Sequence, residues 1–96
     1  MDMKYNLPVV YLQEGKYIIA YTPALDLSTQ GRTLEEAKKN FHEAVELWFE
    51  SCVEMGTLEK ALANLGWQIR KSGKHKGFMP PRVIQNTSEL VSVAAA

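Results

Sequence analysis

Cysteine is almost absent from this chain, which contains a single one, Cys52. One cysteine excludes an intramolecular disulfide and a Cys-x-x-Cys metal site, and it is typical of a reducing compartment. Long hydrophobic runs are also missing, because no stretch approaches the roughly 18 to 20 apolar residues of a membrane span. The N-terminus lacks the layout of a signal peptide. We therefore expect a cytoplasmic protein that has no membrane partner.

Net charge is absent too, since 11 basic residues balance 11 acidic ones. A neutral chain has no global field that would favour nucleic acid or a membrane surface as its partner. The two signs are nevertheless segregated along the sequence. Most acidic residues lie between Glu35 and Glu59, and the largest group of basic residues lies between Arg70 and Arg82. Any charged binding surface is therefore expected to be local.

Motifs of catalysis and cofactor binding are missing as well. The sequence contains no glycine-rich phosphate loop, no Ser/His/Asp arrangement and no HExxH motif. His42 is predicted to be a solvated helix residue, and His75 has no further metal ligand at a suitable spacing. Cys52 falls on an apolar stripe, which favours a place in the core over a role as nucleophile. We expect a protein that is not an enzyme and that needs no metal or cofactor.

The longest recognisable element begins at Thr33 and ends at Gly56. Thr33 and Glu36 form a capping-box pattern, in which each side chain accepts a hydrogen bond from the backbone N–H of the other residue. Apolar residues then recur in steps of three and four, and glycine is a natural residue for the left-handed end of a helix. The apolar positions are Leu34, Ala37, Phe41, Ala44, Trp48 and Cys52, widened by Val45, Phe49 and Val53. The pattern predicts about six turns of helix with one apolar face.

Short strands are predicted on both sides of this helix. The three that precede it are Val9–Leu12, Tyr17–Tyr21 and Leu25–Thr29. A short second helix and a fourth strand, between Trp67 and Lys71, are predicted to follow it. This order predicts an α+β fold, namely a two-layer sandwich in which an antiparallel three- to four-stranded sheet packs on one long helix. The order βββαβ is a partial ferredoxin-like arrangement.

The sequence predicts that residues 1–71 form this unit and that residues 72–96 form a C-terminal loop and tail. Met79-Pro80-Pro81 interrupts the chain, because proline cannot lie inside a helix. The tail contains the apolar residues Leu90, Val91 and Val93. Two outcomes are open for it, an edge strand on this sheet or on a second copy of the chain, and a frayed end.

Two charged groups are the candidate binding surfaces. The acidic one lies on the long helix at spacings of three and four, and it comprises Glu43, Glu46, Glu50 and Glu54. Such a stripe is either a solvated face or a surface for a basic partner protein. The basic one lies in the loop after the fourth strand, and it comprises Arg70, Lys71, Lys74 and Lys76. This loop is either a solvated hairpin tip or a phosphate contact, and it lacks the interleaved aromatic residues of a base-stacking surface.

Three segments in the first half of the chain form a distinctive pattern: residues 15–23, 28–37 and 43–48. They contain a Gly-aromatic strand, a Pro-bearing turn, a Gly-polar-Thr-x-x-Glu-Ala helix start and a Glu-Ala-x-Glu-Leu helix body. This combination resembles the HicB-type antitoxins of prokaryotic toxin–antitoxin pairs over residues 9–56. The chain differs from that family in two places. Ala24-Leu25-Asp26-Leu27 replaces the usual Leu-Pro-Gly-Cys, and no DNA-binding helix pair follows Gly66.

The resemblance implies a partial ferredoxin-like fold and a role in protein binding. HicB-type domains bind and mask HicA, a small basic RNA-cleaving toxin with a double-stranded-RNA-binding fold. On this basis we expect a homo-oligomer, a dimer or tetramer, that neutralises a HicA-like toxin through protein–protein contacts. The alternative is a nucleic-acid-binding regulatory protein that uses the loop Arg70–Lys76.

Overall fold

A computed structural model of the chain describes residues 4–94. The elements follow the order β1 (Val10–Glu14), β2 (Tyr17–Thr22), β3 (Leu27–Gly31), α1 (Leu34–Met55), α2 (Leu58–Asn64), β4 (Gln68–Ser72) and β5 (His75–Met79). The predicted α+β class, with an antiparallel sheet packed on one long helix, is confirmed. Residues 71 and 72, where the two predicted units meet, both lie in β4, and residues 1–3 and 95–96 of those units lie outside the described residues.

The first sheet has the strand order β1-β2-β3, and both pairings are antiparallel. Ala20 lies at the centre of the register, opposite Tyr11 on β1 and Thr29 on β3. Because side chains alternate along a strand, Ile18, Ala20 and Thr22 point to one face of the sheet. Helix α1 packs on that face, mainly over β3 and β2. The inner face of β1 therefore extends beyond the helix.

The ends of α1 follow the predicted capping chemistry, with one difference. The Thr33 hydroxyl accepts a hydrogen bond from the Glu36 N–H at 3.1 Å, as expected. The Glu36 carboxylate, however, accepts from the N–H of Arg32 at 3.3 Å rather than from that of Thr33. At the other end Gly56 is left-handed, with φ of 69°, and the N–H of Thr57 donates to Cys52 O at 2.9 Å. These bonds fix both limits of α1.

Small residues bring α1 close to the sheet. Ala20 and Ala37 are fully buried, and they form one core cluster with Phe41. Gly31 is buried where β3 leads into α1, and a Cβ there would lie 2.8 Å from the carbonyl carbon of Glu36 and overlap the backbone nitrogen of Ala37. Only glycine therefore fits at this junction.

A second core cluster is centred on Trp67, whose side chain is 4% exposed. It packs with Leu62 of α2 and with Ala24 and Leu25, which lie between β2 and β3. The Trp67 indole N–H donates a hydrogen bond of 2.7 Å to the carbonyl oxygen of Ala24. The sequence placed Trp48 on the buried stripe, but its side chain is half-buried. Trp67, which the sequence placed in a strand, is the more buried tryptophan.

The predicted apolar stripe of α1 is partly wrong at its two ends. Leu34 and Val53 are 44% and 57% exposed. Ala37, Phe41 and Cys52 are the positions on α1 that are buried. The core face of the helix is therefore narrower than the periodicity predicts.

The predicted fourth strand exists as β4, but it pairs with β5 in a separate two-stranded sheet. Gly73 has φ of 60° and connects the two strands in a tight turn, so the strand next along the chain is the nearest partner. Residues 80–94 form no helix or strand, and all but Pro80 are exposed. Within one chain this tail does not pair with the sheet. Its pairing with a second copy stays a prediction.

Candidate functional site

The acidic stripe lies on the exposed side of α1. Glu43, Glu46, Glu50 and Glu54 are all exposed, and none forms an ion pair with a described residue. At 1.5 Å of rise per residue, the four carboxylates cover about 16 Å along the helix axis. The fold thus leaves their charge unneutralised and directed to solvent.

A groove of about 590 Å³ runs beside this stripe. It lies between α1 and the extended segment that leads into β1, and Tyr11 on the inner face of β1 also lines it. Glu46 and Glu50 line the groove, whereas Glu43 and Glu54 do not. The predicted acidic surface therefore divides into two carboxylates at the groove and two outside it.

Aromatic rings and one lysine, Lys4, also line the groove. Tyr5, from the segment before β1, and Phe49, from α1, stack on each other with ring centroids 5.8 Å apart. Tyr5 also meets Trp67 edge-on at 5.1 Å, and burial raises the pKa of the Tyr5 hydroxyl. Aromatic rings beside carboxylates suit the aliphatic stem and cationic head of an arginine or lysine side chain.

Sequence reasoning missed both groove tyrosines, Tyr5 and Tyr11. The position of Tyr11 could have been predicted from the sequence. It lies two residues after Val9, and side chains two apart in a strand point to the same face, here the inner face of β1. The Lys38 ammonium lies 5.9 Å from the centroid of the Tyr11 ring. Tyr5 had no comparable signal, because its place depends on Phe49 and Trp67, which are distant in sequence.

The residues considered for catalysis or metal binding lie apart. His42 is exposed and lines the same groove, and Cys52 is buried without a disulfide partner. His75 lies in the β4–β5 hairpin. Residues 4–94 contain no group of three His, Cys, Asp or Glu side chains that could hold a metal ion.

The basic cluster is divided between the two faces of the β4–β5 hairpin. Lys71 and Lys76 are opposite each other in the register and face Glu59 of α2, at 3.8 Å and 2.9 Å. The hydrogen bond and charge of Lys76, with a further contribution from Lys71, lower the pKa of the Glu59 carboxyl. Half of the predicted basic surface is therefore used within the chain.

Arg70 and Lys74 form the remainder of that surface. Arg70 neighbours Lys71 in β4, so it points to the opposite face of the hairpin. Lys74 lies in the turn, and both side chains are exposed and have no ion pair within the described residues. Two cations rather than four are available for a phosphate contact.

Comparisons with known proteins give no family for this chain. No protein-family model matches it, and no curated protein or solved structure is significantly similar to it. Among residues 4–94, no helix combines the length and the apolar character that crossing a membrane requires.

Proposed function

We propose that this chain is a non-enzymatic, HicB-like antitoxin-type protein. It binds a small basic RNA-cleaving toxin of HicA type and neutralises it through protein–protein contacts. The contact surface is the acidic side of α1 together with the adjacent groove.

The junction between β3 and α1 supports the HicB-like part of this proposal. The segment Gly31–Ala37 is the most specific part of the sequence resemblance. In the fold, Gly31 allows the backbone of β3 to approach the first turn of α1, and Thr33 caps that turn. Gly31 and Thr33 of this segment thus have a physical role in the strand-to-helix junction.

The groove beside α1 supports the proposed binding of a basic protein. Glu46 and Glu50 of α1 are exposed and unpaired, and the stacked rings of Tyr5 and Phe49 provide apolar surface in the same groove. A basic protein gains from both features, because its charge meets the carboxylates and its side-chain stems cover the rings. An exposed acidic stripe without apolar surface would increase the rate of association with a basic protein but would add little affinity.

The proposal is tested with a HicA-like toxin from the native host. We expect the full chain to bind the purified toxin and to suppress its cleavage of RNA. The double variant Glu46→Lys/Glu50→Lys should weaken binding by at least about tenfold, equivalent to about 1.4 kcal/mol. Binding is measured by calorimetry at two salt concentrations, and cleavage by the loss of full-length RNA.

Glu35→Lys/Ala63→Lys/Asn64→Lys is the matched control for this experiment. It makes the same change in net charge, but none of the three exposed residues lies in the acidic stripe or lines the groove. The control should keep most of the binding. Equal loss in both variants would show that only net charge matters, and absence of binding by the unmodified chain would remove the proposal.

A second candidate function is nucleic-acid binding by the hairpin tip. The observation that favours it is the exposure of Arg70 and Lys74 without an ion pair. Each phosphate contact that is removed should reduce the slope of log affinity against log salt by about 1. Arg70→Ala/Lys74→Ala should therefore weaken binding to RNA or DNA in a gel-shift titration.

Lys71→Ala/Lys76→Ala is the control for this candidate, because it removes the same charge from lysines that Glu59 already engages. If both doubles weaken binding equally, nonspecific charge explains the contact. If the unmodified chain shifts neither RNA nor DNA at low salt, this candidate is excluded.

A further inference from the structure

The C-terminal segment, residues 80–94, has apolar side chains that are half or more exposed. Val83 is 50% exposed, Ile84 88%, Leu90 102%, Val91 69% and Val93 81%. Its single hydrogen bond is local, from the Thr87 hydroxyl to Ser88 O, so its backbone has no partner among the described residues. Exposed apolar side chains of this kind favour association with another surface.

The same segment extends from the folded body. The radius of gyration is 16.2 Å, and the longest dimension of the chain is 54 Å. A compact chain of this length has a radius of gyration of about 13 Å. The difference is consistent with a projecting arm that can reach a neighbouring molecule.

Strand β1 offers an unpaired edge and an uncovered apolar face. It is an outer strand of the three-stranded sheet, so its second edge pairs with no strand among the described residues. Val10 and Leu12, on the face away from α1, are 39% and 54% exposed. Tyr17 of β2 is 37% exposed on the same face. This edge is a template for one further strand.

The C-terminal segment leaves the body beside the start of β1. A groove of about 550 Å³ is lined by Pro8–Val10 on one side and by residues that include Pro81–Val83 on the other. The arm of each molecule therefore begins close to the edge that it would use in another molecule. This proximity allows two copies to exchange arms with little change in the folded bodies.

We propose that residues 89–93 of one copy add as a strand to the free edge of β1 in a second copy. The exchange is reciprocal, so that two arms meet two β1 edges in a closed two-fold dimer. The occupant is a second copy because one chain contains both unpaired surfaces, and the exchange leaves neither arm nor edge unused. This dimer does not depend on the proposed toxin binding.

The side-chain pattern of the arm agrees with this pairing. In an extended strand Val91 and Val93 share one face, and Leu90 lies on the other. Val91 and Val93 would continue the apolar row of Val10 and Leu12 on the outer face of the sheet.

The proposal is tested by sedimentation velocity of the full chain over a concentration series. We expect a dimer that dissociates on dilution. Val91→Lys/Val93→Lys should raise the dissociation constant at least about tenfold, because it charges the proposed contact face. These side chains are exposed within one chain, so the melting temperature of the monomer, measured at a dilution at which both proteins are dissociated, should not change. Thr87→Lys/Ser88→Lys adds the same charge outside the pairing segment, and it should leave the dimer intact.

A disulfide trap tests which edge receives the arm. In the variant Leu12→Cys/Val91→Cys, mild oxidation should give a covalent dimer on a non-reducing gel. Asn64→Cys/Val91→Cys is the control and should remain monomeric. A monomer at every concentration, a dimer that Val91→Lys/Val93→Lys leaves unchanged, or a trap that closes only within one chain would each overturn the proposal.

Discussion

The three-stranded sheet and the β4–β5 hairpin are both antiparallel, but different contacts hold them to the rest of the molecule. Helix α1 covers the sheet over β2 and β3, where Ala20, Ala37 and Phe41 pack closely. The hairpin has no such layer, and most of its residues are exposed. Its attachment is local, through the buried Trp67 that precedes β4, the half-buried Phe78, and the lysines that face Glu59.

This difference indicates which contacts contribute most to the stability of a small α+β domain. A helix-covered sheet buries apolar surface along its length, and such burial is the main favourable term in folding. A two-stranded hairpin is marginal by itself and needs an anchor on other elements. Loss of the anchor should therefore have a large effect, whereas loss of a surface ion pair should have a small one.

Trp67→Ala should have the largest effect on stability. It removes a buried aromatic side chain and leaves the Ala24 carbonyl without its hydrogen bond. The expected loss in the free energy of unfolding is about 3 to 5 kcal/mol, measured by urea denaturation. Trp48→Ala removes a half-buried ring and should cost about half as much or less. A larger cost at Trp48 would contradict the assignment of Trp67 as the main anchor.

Gly31→Ala should destabilise the junction between the sheet and α1. The added Cβ would meet the backbone of Glu36 and Ala37, which cannot move without shifting the first turn of α1. We expect a loss of about 1 to 3 kcal/mol in thermal or urea unfolding. Gly77→Ala in the hairpin is the control, because its Cβ would lie 3.9 Å from the nearest atom, Arg70 O. A similar cost at both glycines would argue against the close approach at Gly31.

Thr33→Ala should cost about 1 kcal/mol, because the N–H of Glu36 loses its hydrogen-bond acceptor at the start of α1. Thr57 precedes α2, but its side chain forms no capping bond. Thr57→Ala should therefore cost clearly less. Urea denaturation measures the free energy of unfolding of both variants. Equal losses for Thr33→Ala and Thr57→Ala would show that the capping bond of Thr33 contributes little.

Acid should loosen the hairpin before it affects the sheet. Because Lys76 and Lys71 lower the pKa of Glu59 below its ordinary value of 4.5, the charged pair stabilises the fold above that pH. This contribution is lost as the pH falls through the lowered pKa. The effect should be small, since the carboxylate is exposed and screened. NMR resonances of β4 and β5 should shift in this range in the natural chain but not in Glu59→Gln, and an unchanged titration in the variant would exclude the pair as the cause.

Part of the candidate site could be predicted from the sequence alone. The four stripe carboxylates follow a helical period, so their common side of α1 is a local property. The groove could not be predicted, because it requires Tyr5 to lie beside Phe49, which is distant in sequence. The division of the basic cluster into lysines that pair with Glu59 and cations that form no ion pair within residues 4–94 could not be predicted either. It depends on the β4–β5 register and on Glu59, which lies in another element.

The sequence by itself determined the limits of α1, through Thr33 and Gly56, and the α+β order of the elements. These features depend on neighbours within a few residues, such as a cap, a left-handed glycine and an apolar period. Only the tertiary structure decided that Trp67 is the buried anchor, that β4 pairs with β5, and that Gly31 lies against α1. The physical reason is that burial and pairing depend on which distant segments meet, and local preferences do not specify those contacts.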